Sequence, residues 1–308
     1  MVRAQGGAML AAAGAAAIWG GMYVVSKVVL EVVPPFTLVA LRLAVAAVLF
    51  GAVVALGRSA PPRRRDVPRL LFAGVVGFGL SLGAQFAGTR LSTAHDGALI
   101  TCATPAFIAV FAGPLLRERV SPRRWLATGL ATAGVLFVAA GSTAPDATAP
   151  HPVTGNALLL IAAVTWALYT VLAKASMASA SPLTVSFYAT LGGLLAMAPA
   201  VAAEGVLEGF PDWAALSPGV WLGILYLGAV STAVAFYLWN RAFETLDAAV
   251  GALLFFVQPV VGALLGWLLL GERLPPAFFL GGAAIAVGVL LAAGETEARA
   301  ATPAGRRG

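Results

Sequence analysis

Charge is scarce in this sequence. Asp, Glu, Lys and Arg make up 10% of its 308 residues, whereas 60% of the residues are hydrophobic. A water-soluble domain needs roughly 25% charged residues to hydrate its surface, so the composition excludes an ordinary soluble fold. At about 20 residues per transmembrane helix, the length accommodates about ten spans. We therefore expect no extramembrane domain fused to the spans.

Cysteine and histidine are also rare. The single cysteine, Cys102, lies in an apolar run, which excludes a disulfide framework and a thiolate metal site. The two histidines, His95 and His151, are predicted at a membrane edge and in a loop, so neither belongs to a catalytic set inside the spans. The Gly-x-x-x-x-Gly-Lys-Ser/Thr pattern of ATP-driven pumps does not occur. We expect no metal, no cofactor and no enzyme activity.

Long apolar runs make up most of the sequence, and they predict an all-α polytopic membrane protein of ten transmembrane helices. Prolines such as Pro34-Pro35 and Pro275-Pro276 lie between the runs, where a helix is expected to stop or restart. The polar segment 295–308 is predicted to be a disordered cytoplasmic tail. The predicted spans are 8–30, 36–57, 68–88, 95–116, 123–141, 155–174, 183–203, 217–240, 247–270 and 276–294.

The basic residues are distributed unevenly between the two sides of these spans. With a cytoplasmic N-terminus, every Lys and Arg except Lys27, Arg42, Arg90 and Arg273 falls on the cytoplasmic side. This is the positive-inside pattern, and it predicts that both termini lie in the cytoplasm and that the membrane is a bacterial-type inner membrane. It also accounts for the net charge of +6 without nucleic-acid binding.

The sequence repeats internally. A shift of 147 residues aligns Trp19 with Trp166 and Lys27 with Lys174 without a gap. A shift of 154 residues aligns Gly97 with Gly251, Pro105 with Pro259, Glu118-Arg119 with Glu272-Arg273, and Gly134 with Gly288. The predicted repeats cover residues 8–141 and 155–294. Each has five spans, an odd number, so the second repeat must enter the membrane from the opposite side. Inverted repeats of this kind support alternating access to a site near the midplane.

The repeated motifs resemble a known family. One copy comprises Ile18-Trp19-Gly20-Gly21 through Ser26-Lys27, Pro105, Gly113 through Leu116, Glu118-Arg119 and Gly134; the second comprises Trp166 to Lys174, Asn240-Arg241-Ala242, Pro259, Glu272-Arg273 and Gly288. These look like two EamA repeats, as in EamA-domain transporters of the drug/metabolite transporter (DMT) superfamily. The resemblance covers residues 10 to 292. It implies a ten-helix carrier, commonly an exporter of amino acids or other metabolites.

Two X-Pro pairs are predicted at mid-membrane, Thr104-Pro105 and Gln258-Pro259. Proline removes a backbone hydrogen bond, and the freed carbonyl must be satisfied by protein, water or solute. We predict that both prolines act as helix-breaking hinges and that Thr104 and Gln258 line the substrate site; the alternative is a simple kink that shapes packing. A further aromatic and amide set is predicted to line the same site: Trp19, Tyr23, Gln85, Trp166, Tyr169 and Tyr226.

Three charged residues are candidates for charge recognition or coupling. Lys27 either anchors a solute carboxylate or snorkels to the headgroups. Arg42, at a depth where a charge costs about 2.5–3.5 kcal/mol, is expected to pair with Glu31 or Asp96, either in the pathway or only to hold helices together. Asp96, beside His95, either relays protons or starts a helix. The second repeat has Ala189 in place of Arg42.

The inverted repeat thus predicts a secondary transporter, and the resemblance implies export of an amino acid or a similar amphipathic solute. The residues themselves leave the substrate, the direction and proton coupling open. Its expected partners are that small-molecule solute and the lipid bilayer. The alternatives are an intramembrane lipid-modifying enzyme, which would need a catalytic set, and a non-transporting membrane subunit, which would not need an inverted repeat. Whether the chain forms a homodimer is left open by the sequence.

Overall fold

In the part of the chain that the computed structural model describes, every regular element of secondary structure is a helix and there is no β-strand. That part comprises residues 2–58, 61–92, 97, 100–118, 120–123, 125, 126, 128–130, 132, 133, 150–270, 280, 283, 284 and 287. The helices are α1 (Val2–Val29), α2 (Pro35–Gly57), α3 (Val67–Leu91), α4 (Thr104–Leu116), α5 (Pro152–Ser176), α6 (Pro182–Leu207), α7 (Pro218–Phe243), α8 (Ala248–Leu253) and α9 (Val257–Leu270).

Six of these helices are long and apolar enough to cross a membrane: α1, α2, α3, α5, α6 and α7. They confirm a polytopic helical membrane protein. Four of them begin with proline, which suits the first helical turn because its missing N–H would have no partner there. The serines that precede α6 and α7 accept a hydrogen bond from the backbone N–H groups of Thr184 and Val220, which caps those helices.

Two predicted spans are interrupted. The predicted span 95–116 has a turn at Cys102 and Ala103, just before Pro105, and α4 begins only at Thr104. The predicted span 247–270 is divided into α8 and α9 by a 3₁₀ turn at Leu254–Phe256. In both, the interruption lies within the turn that precedes the proline, where its ring displaces the helical hydrogen bond. Most of the predicted spans 123–141 and 276–294 lies outside the described residues, so ten spans remain a prediction.

The two halves of the chain pack into one core. Helix α1 packs against α7 and α9, and α6 packs against α2 and α3. The backbones of α3 and α6 approach closely: a Cβ atom added to Gly74 would lie 2.0 Å from the carbonyl oxygen of Ala189, and one added to Gly192 would lie 2.1 Å from that of Leu71. Small residues permit such contact, which is how helices associate when the surrounding solvent is lipid.

The halves are also joined by carboxylates at both ends of the bundle. At one end Glu204 of α6, 5% exposed, accepts hydrogen bonds from the backbone N–H groups of Phe36 and Thr37 at 3.0 and 2.7 Å and so caps the start of α2. At the other end Glu118, just beyond α4, accepts one from the backbone N–H of Ala248 at 2.9 Å and caps the start of α8. A carboxylate at a helix N-terminus also opposes the positive end of the helix dipole.

Candidate functional site

A cavity of about 30 Å³ lies between the two halves of the chain. This volume holds about two water molecules. Its walls come from α1, α2, α3, the segment around α4, α5, α7 and the start of α9. The lining residues are Trp19, Met22, Arg42, Ser81, Leu82, Gln85, Thr101, Thr104, Ala162, Ala163, Trp166, Phe236, Phe255 and Gln258.

The cavity is at mid-depth in the bundle. Trp19 lies ten residues before the end of α1 and Arg42 seven residues after the start of α2, which places them about 15 and 10 Å along the helices from the same end. Trp166 lies fourteen residues into α5, about 20 Å from that end. Because the hydrocarbon layer is about 30 Å thick, these residues fall in its middle part.

Arg42 is fully buried and faces this cavity. Its Nε donates to Thr232 Oγ1 at 2.8 Å, and its Nη2 to Ser231 Oγ at 3.2 Å. The third contact, from Nη1 to Met22 Sδ at 3.4 Å, is to a weak acceptor. All three partners are neutral, and no carboxylate of the described residues forms an ion pair with Arg42.

The predicted pairing of Arg42 with Glu31 is therefore wrong, because Glu31 is exposed in the turn after α1. Asp96 and its neighbour His95 lie outside the described residues. The aromatic rings of Phe86 and Phe236 lie 4.9 and 5.9 Å from the guanidinium carbon, distances at which the ring faces attract a cation.

The acceptors of Arg42 belong to an irregular part of α7. Residues Tyr226–Val234 have π-helical hydrogen bonding, which is frequent at functional positions. The hydroxyl of Thr232 donates to the carbonyl of Leu227, five residues earlier, at 2.6 Å, and so keeps its oxygen available to Arg42. The carbonyl of Ser231 accepts from Trp19 Nε1 at 3.0 Å. Sequence reasoning missed both hydroxyl residues; the only signal was a Ser-Thr pair inside an apolar span.

The two paired tryptophans meet at the cavity. Their rings are 5.4 Å apart and perpendicular, an edge-to-face arrangement. They differ in hydrogen bonding, because the Nε1 of Trp19 is satisfied whereas the buried Nε1 of Trp166 has no acceptor among the described residues. Buried polar groups are nearly always paired, so an indole N–H without an acceptor beside a cavity is a candidate donor to a ligand.

A second polar group joins four helical segments beside the cavity. Gln85 Nε2 donates to the Tyr23 hydroxyl at 2.5 Å, and Gln258 Nε2 donates to Thr101 Oγ1 at 3.3 Å. The Thr101 hydroxyl donates to the Gly97 carbonyl, so in its 2.8 Å contact with Tyr23 it is the acceptor. Three predicted site residues are thus brought together by Thr101, which sequence reasoning missed and which lies four residues before Pro105.

Thr104 also lines the cavity, and its hydroxyl lies 3.4 Å from the carbonyl of Ala163. Tyr169 and Tyr226 do not line the cavity, contrary to expectation. Tyr169 exchanges hydrogen bonds with Asn240 in the core, and the Tyr226 hydroxyl donates to the carbonyl of Ile18 at 3.1 Å. Both tyrosines join helices of the bundle at positions beside the cavity.

Lys27 lies outside the cavity as well. Its Nζ donates to the carbonyls of Thr89 and Ser92, at 3.2 and 2.8 Å, at the end of α3. Lys174, which the 147-residue shift pairs with Lys27, does the same to the carbonyls of Phe243 and Leu246 at the end of α7. A cation at a helix C-terminus satisfies free carbonyls and opposes the helix dipole. These contacts of Lys27 correspond to neither of its two predicted roles, which were to anchor a solute carboxylate and to snorkel to the headgroups.

Membrane-length helices around a mostly apolar cavity that Arg42, Gln85 and Gln258 line fit a multi-pass membrane transporter, and comparison with known proteins gives the same class. The model of the EamA-like transporter family matches twice, at residues 6–140 and 153–294. The chain belongs to the EamA-like transporter family, within the DMT superfamily.

Individual relatives extend over most of the chain. The uncharacterized transporter YetK of Bacillus subtilis is 30% identical over 94% of this chain and 88% of its own length. A probable terminal-alkyne amino-acid exporter of Streptantibioticus cattleyicolor is 28% identical over 80% of each chain. A solved crystal structure superposes with a TM-score of 0.74 at 24% identity, covering 96% of this chain and 99% of its own, and shows the same fold.

Proposed function

We propose that this protein is a secondary transporter that exports a small amphipathic metabolite, such as an amino acid, by alternating access. The cavity between the two repeats is the proposed binding site. Both termini are assigned to the cytoplasm of a bacterial-type cell, and the membrane to its inner membrane, on the distribution of basic residues in the sequence.

The observation that carries the proposal is the position of the cavity. It is lined by residues of both repeats, lies at mid-depth and adjoins the helix interruptions before Pro105 and Pro259. In carriers built from inverted repeats, interrupted helices and a midplane site between the repeats occur together. Lys27 and Lys174 occupy equivalent positions in the two repeats and bond to carbonyls at the ends of α3 and α7, which supports the same helix arrangement in the two halves.

The carboxylate contacts at the two ends of the bundle are proposed to hold the halves together around the site. Glu204 bonds to the start of α2 at one end, and Glu118 bonds to the start of α8 at the other. For solute to enter from either side, one of these contacts must open and the halves must move apart around the site. The two interrupted segments are the positions proposed to bend in that movement.

Export and the amino-acid class are proposed on the one relative whose name states them, the probable terminal-alkyne amino-acid exporter. The energy source is proposed to be a solute or proton gradient, because no nucleotide-binding motif occurs in the sequence. The alternative of an intramembrane enzyme has no catalytic set to support it among the cavity residues.

Purified protein in liposomes tests this proposal. Uptake of radiolabelled amino acids and metabolites is measured with and without a pH gradient, and Gln258→Ala is compared with Gln5→Ala, which removes a glutamine far from the cavity. We expect Gln258→Ala to lower the transport rate about tenfold, the effect of losing about 1.4 kcal/mol of site interactions, and Gln5→Ala to leave it unchanged. Turnover of a lipid without uptake of any solute would refute transport. Normal transport by Gln258→Ala would refute this cavity as the site.

A further inference from the structure

We propose that the cavity recognises the carboxylate of an organic anion through the guanidinium of Arg42 and the indole N–H of Trp166. The transported solute would then be a small carboxylate with an apolar body. This inference rests on the proposed transport function and names the substrate class of the same cavity.

The first argument is the charge of Arg42. Arginine stays protonated in proteins, so its burial in the middle of the bundle places a full positive charge away from water. Such a charge is normally compensated by a carboxylate or another anion. Its partners among the described residues are two hydroxyls, a thioether and the ring faces of Phe86 and Phe236, none of which carries a net charge. An anionic solute in the adjoining cavity would supply the compensation.

The second argument is the number of free donors. The guanidinium has five N–H bonds, and three of them are used by Thr232, Ser231 and Met22. The remaining two have no acceptor among the described residues. Trp166, which also lines the cavity, adds a buried N–H without an acceptor among the described residues. A carboxylate has two oxygens that accept several hydrogen bonds, so one group could satisfy these donors.

The third argument is the chemistry of the remaining walls. The rings of Trp19, Phe236 and Phe255 and the side chains of Met22 and Leu82 surround the space beside Arg42, and no lining residue is acidic. These walls suit a hydrocarbon or aromatic body. A cationic group on the solute would meet only neutral oxygens. The carboxylate is therefore the group that the cavity recognises by charge.

The fourth argument is the asymmetry between the repeats. The 147-residue shift pairs Arg42 with Ala189, which is fully buried against the backbone of Gly74. The second half therefore packs without a charge at this position. The equivalent position of the second half does without a charge, and the charge of the first half adjoins the cavity, so we assign it to a ligand.

Binding to the wild-type protein provides the first test and does not depend on transport. Calorimetry in detergent micelles compares hydrocinnamate, leucine and phenylalanine with the primary amide of each. We expect at least one carboxylate to bind about 10- to 100-fold more tightly than its amide, because a hydrogen bond to a charged group contributes about 1.5–3 kcal/mol. Equal affinities for every acid and its amide, or binding of none of the acids, would overturn the inference.

Variants provide the second test. Arg42→Gln should remove the preference for the carboxylate over the amide, while Arg90→Gln, the same change at an exposed arginine, should keep it. If Arg42→Gln does not fold, Arg42→Lys and Trp166→Phe serve instead. Each should weaken binding of the carboxylate, Trp166→Phe by about three- to tenfold, and leave binding of the amide unchanged.

Three outcomes can be distinguished. Carboxylate binding that depends on Arg42, together with uptake, supports both proposals, and the same binding without uptake of any solute supports the inference and refutes transport. If Arg42→Gln keeps the carboxylate preference, and Asp96→Asn lowers the melting temperature as much as Arg42→Gln does, Arg42 only holds helices together and the inference is wrong.

Discussion

Replacing Glu118 tests how the two halves are held together. One carboxylate oxygen of Glu118 lies 3.5 Å from Lys174 Nζ, and the other accepts the backbone N–H of Ala248 at 2.9 Å. Both side chains of the ion pair are less than one-fifth exposed. Glu118→Gln would keep an acceptor for Ala248 and remove the charge that faces Lys174.

The structure sets the size of the expected effect. Two unit charges 3.5 Å apart attract by about 5 kcal/mol at an effective dielectric constant of about 20, and desolvation offsets part of this. We therefore expect a coupling free energy of about 2 kcal/mol between Glu118 and Lys174. The pair Arg90–Glu208 is the matched control: its 2.7 Å distance is shorter, but its side chains are 40% and 46% exposed, so about 0.5 kcal/mol or less is expected.

Double-mutant cycles measure both couplings as apparent free energies of unfolding in mixed detergent–SDS micelles. They combine Glu118→Gln with Lys174→Met and Glu208→Gln with Arg90→Met. The single native thiol, Cys102, is fully buried within the interruption before α4 and reports opening through its rate of maleimide labelling. A loss of about 1–2 kcal/mol in Glu118→Gln should raise that rate about 5- to 30-fold. A coupling no larger than that of Arg90–Glu208, with unchanged labelling, would refute the reasoning.

Two further predictions concern the walls of the cavity. Gly20→Ala should lower the apparent free energy of unfolding by about 1–3 kcal/mol, because the added Cβ would lie 2.6 Å from the backbone oxygen of Gln258. Gly14→Ala should be neutral or stabilising, because its added Cβ would lie 4.0 Å from Leu238 Cδ1, an ordinary contact distance. A similar loss in both variants would contradict this. Tyr23→Phe, which removes the hydroxyl that joins α3 to the segment before α4, should cost about 1–2 kcal/mol in the same assay. Tyr188→Phe, for a partly buried tyrosine, should cost less than about 0.5 kcal/mol, and equal losses would exclude a role for the hydrogen bonds of Tyr23.

Parts of the site could be predicted from the sequence. Trp19, Tyr23, Gln85, Thr104, Trp166 and Gln258 were expected near one another, and the cavity or the hydrogen bonds beside it involve all of them. The two prolines marked the interrupted helices because proline acts locally, on its own turn. The hydroxyl partners of Arg42 could not be predicted, because they lie about 190 residues further along the chain.

The sequence by itself determined the class of protein and the six membrane-length helices, because transfer into lipid depends on the sum of apolar residues along a segment and needs no knowledge of neighbours. It also revealed the repeat, since matched residues recur at fixed shifts. Only the tertiary structure decided which polar side chains face the cavity. In a membrane bundle the lipid-facing and core-facing sides of a helix are both apolar, so no hydrophobic face identifies the inside. Lys27 and Arg42 illustrate this: both are basic residues within apolar segments, yet packing directs one to the carbonyls at a helix end and the other to the cavity.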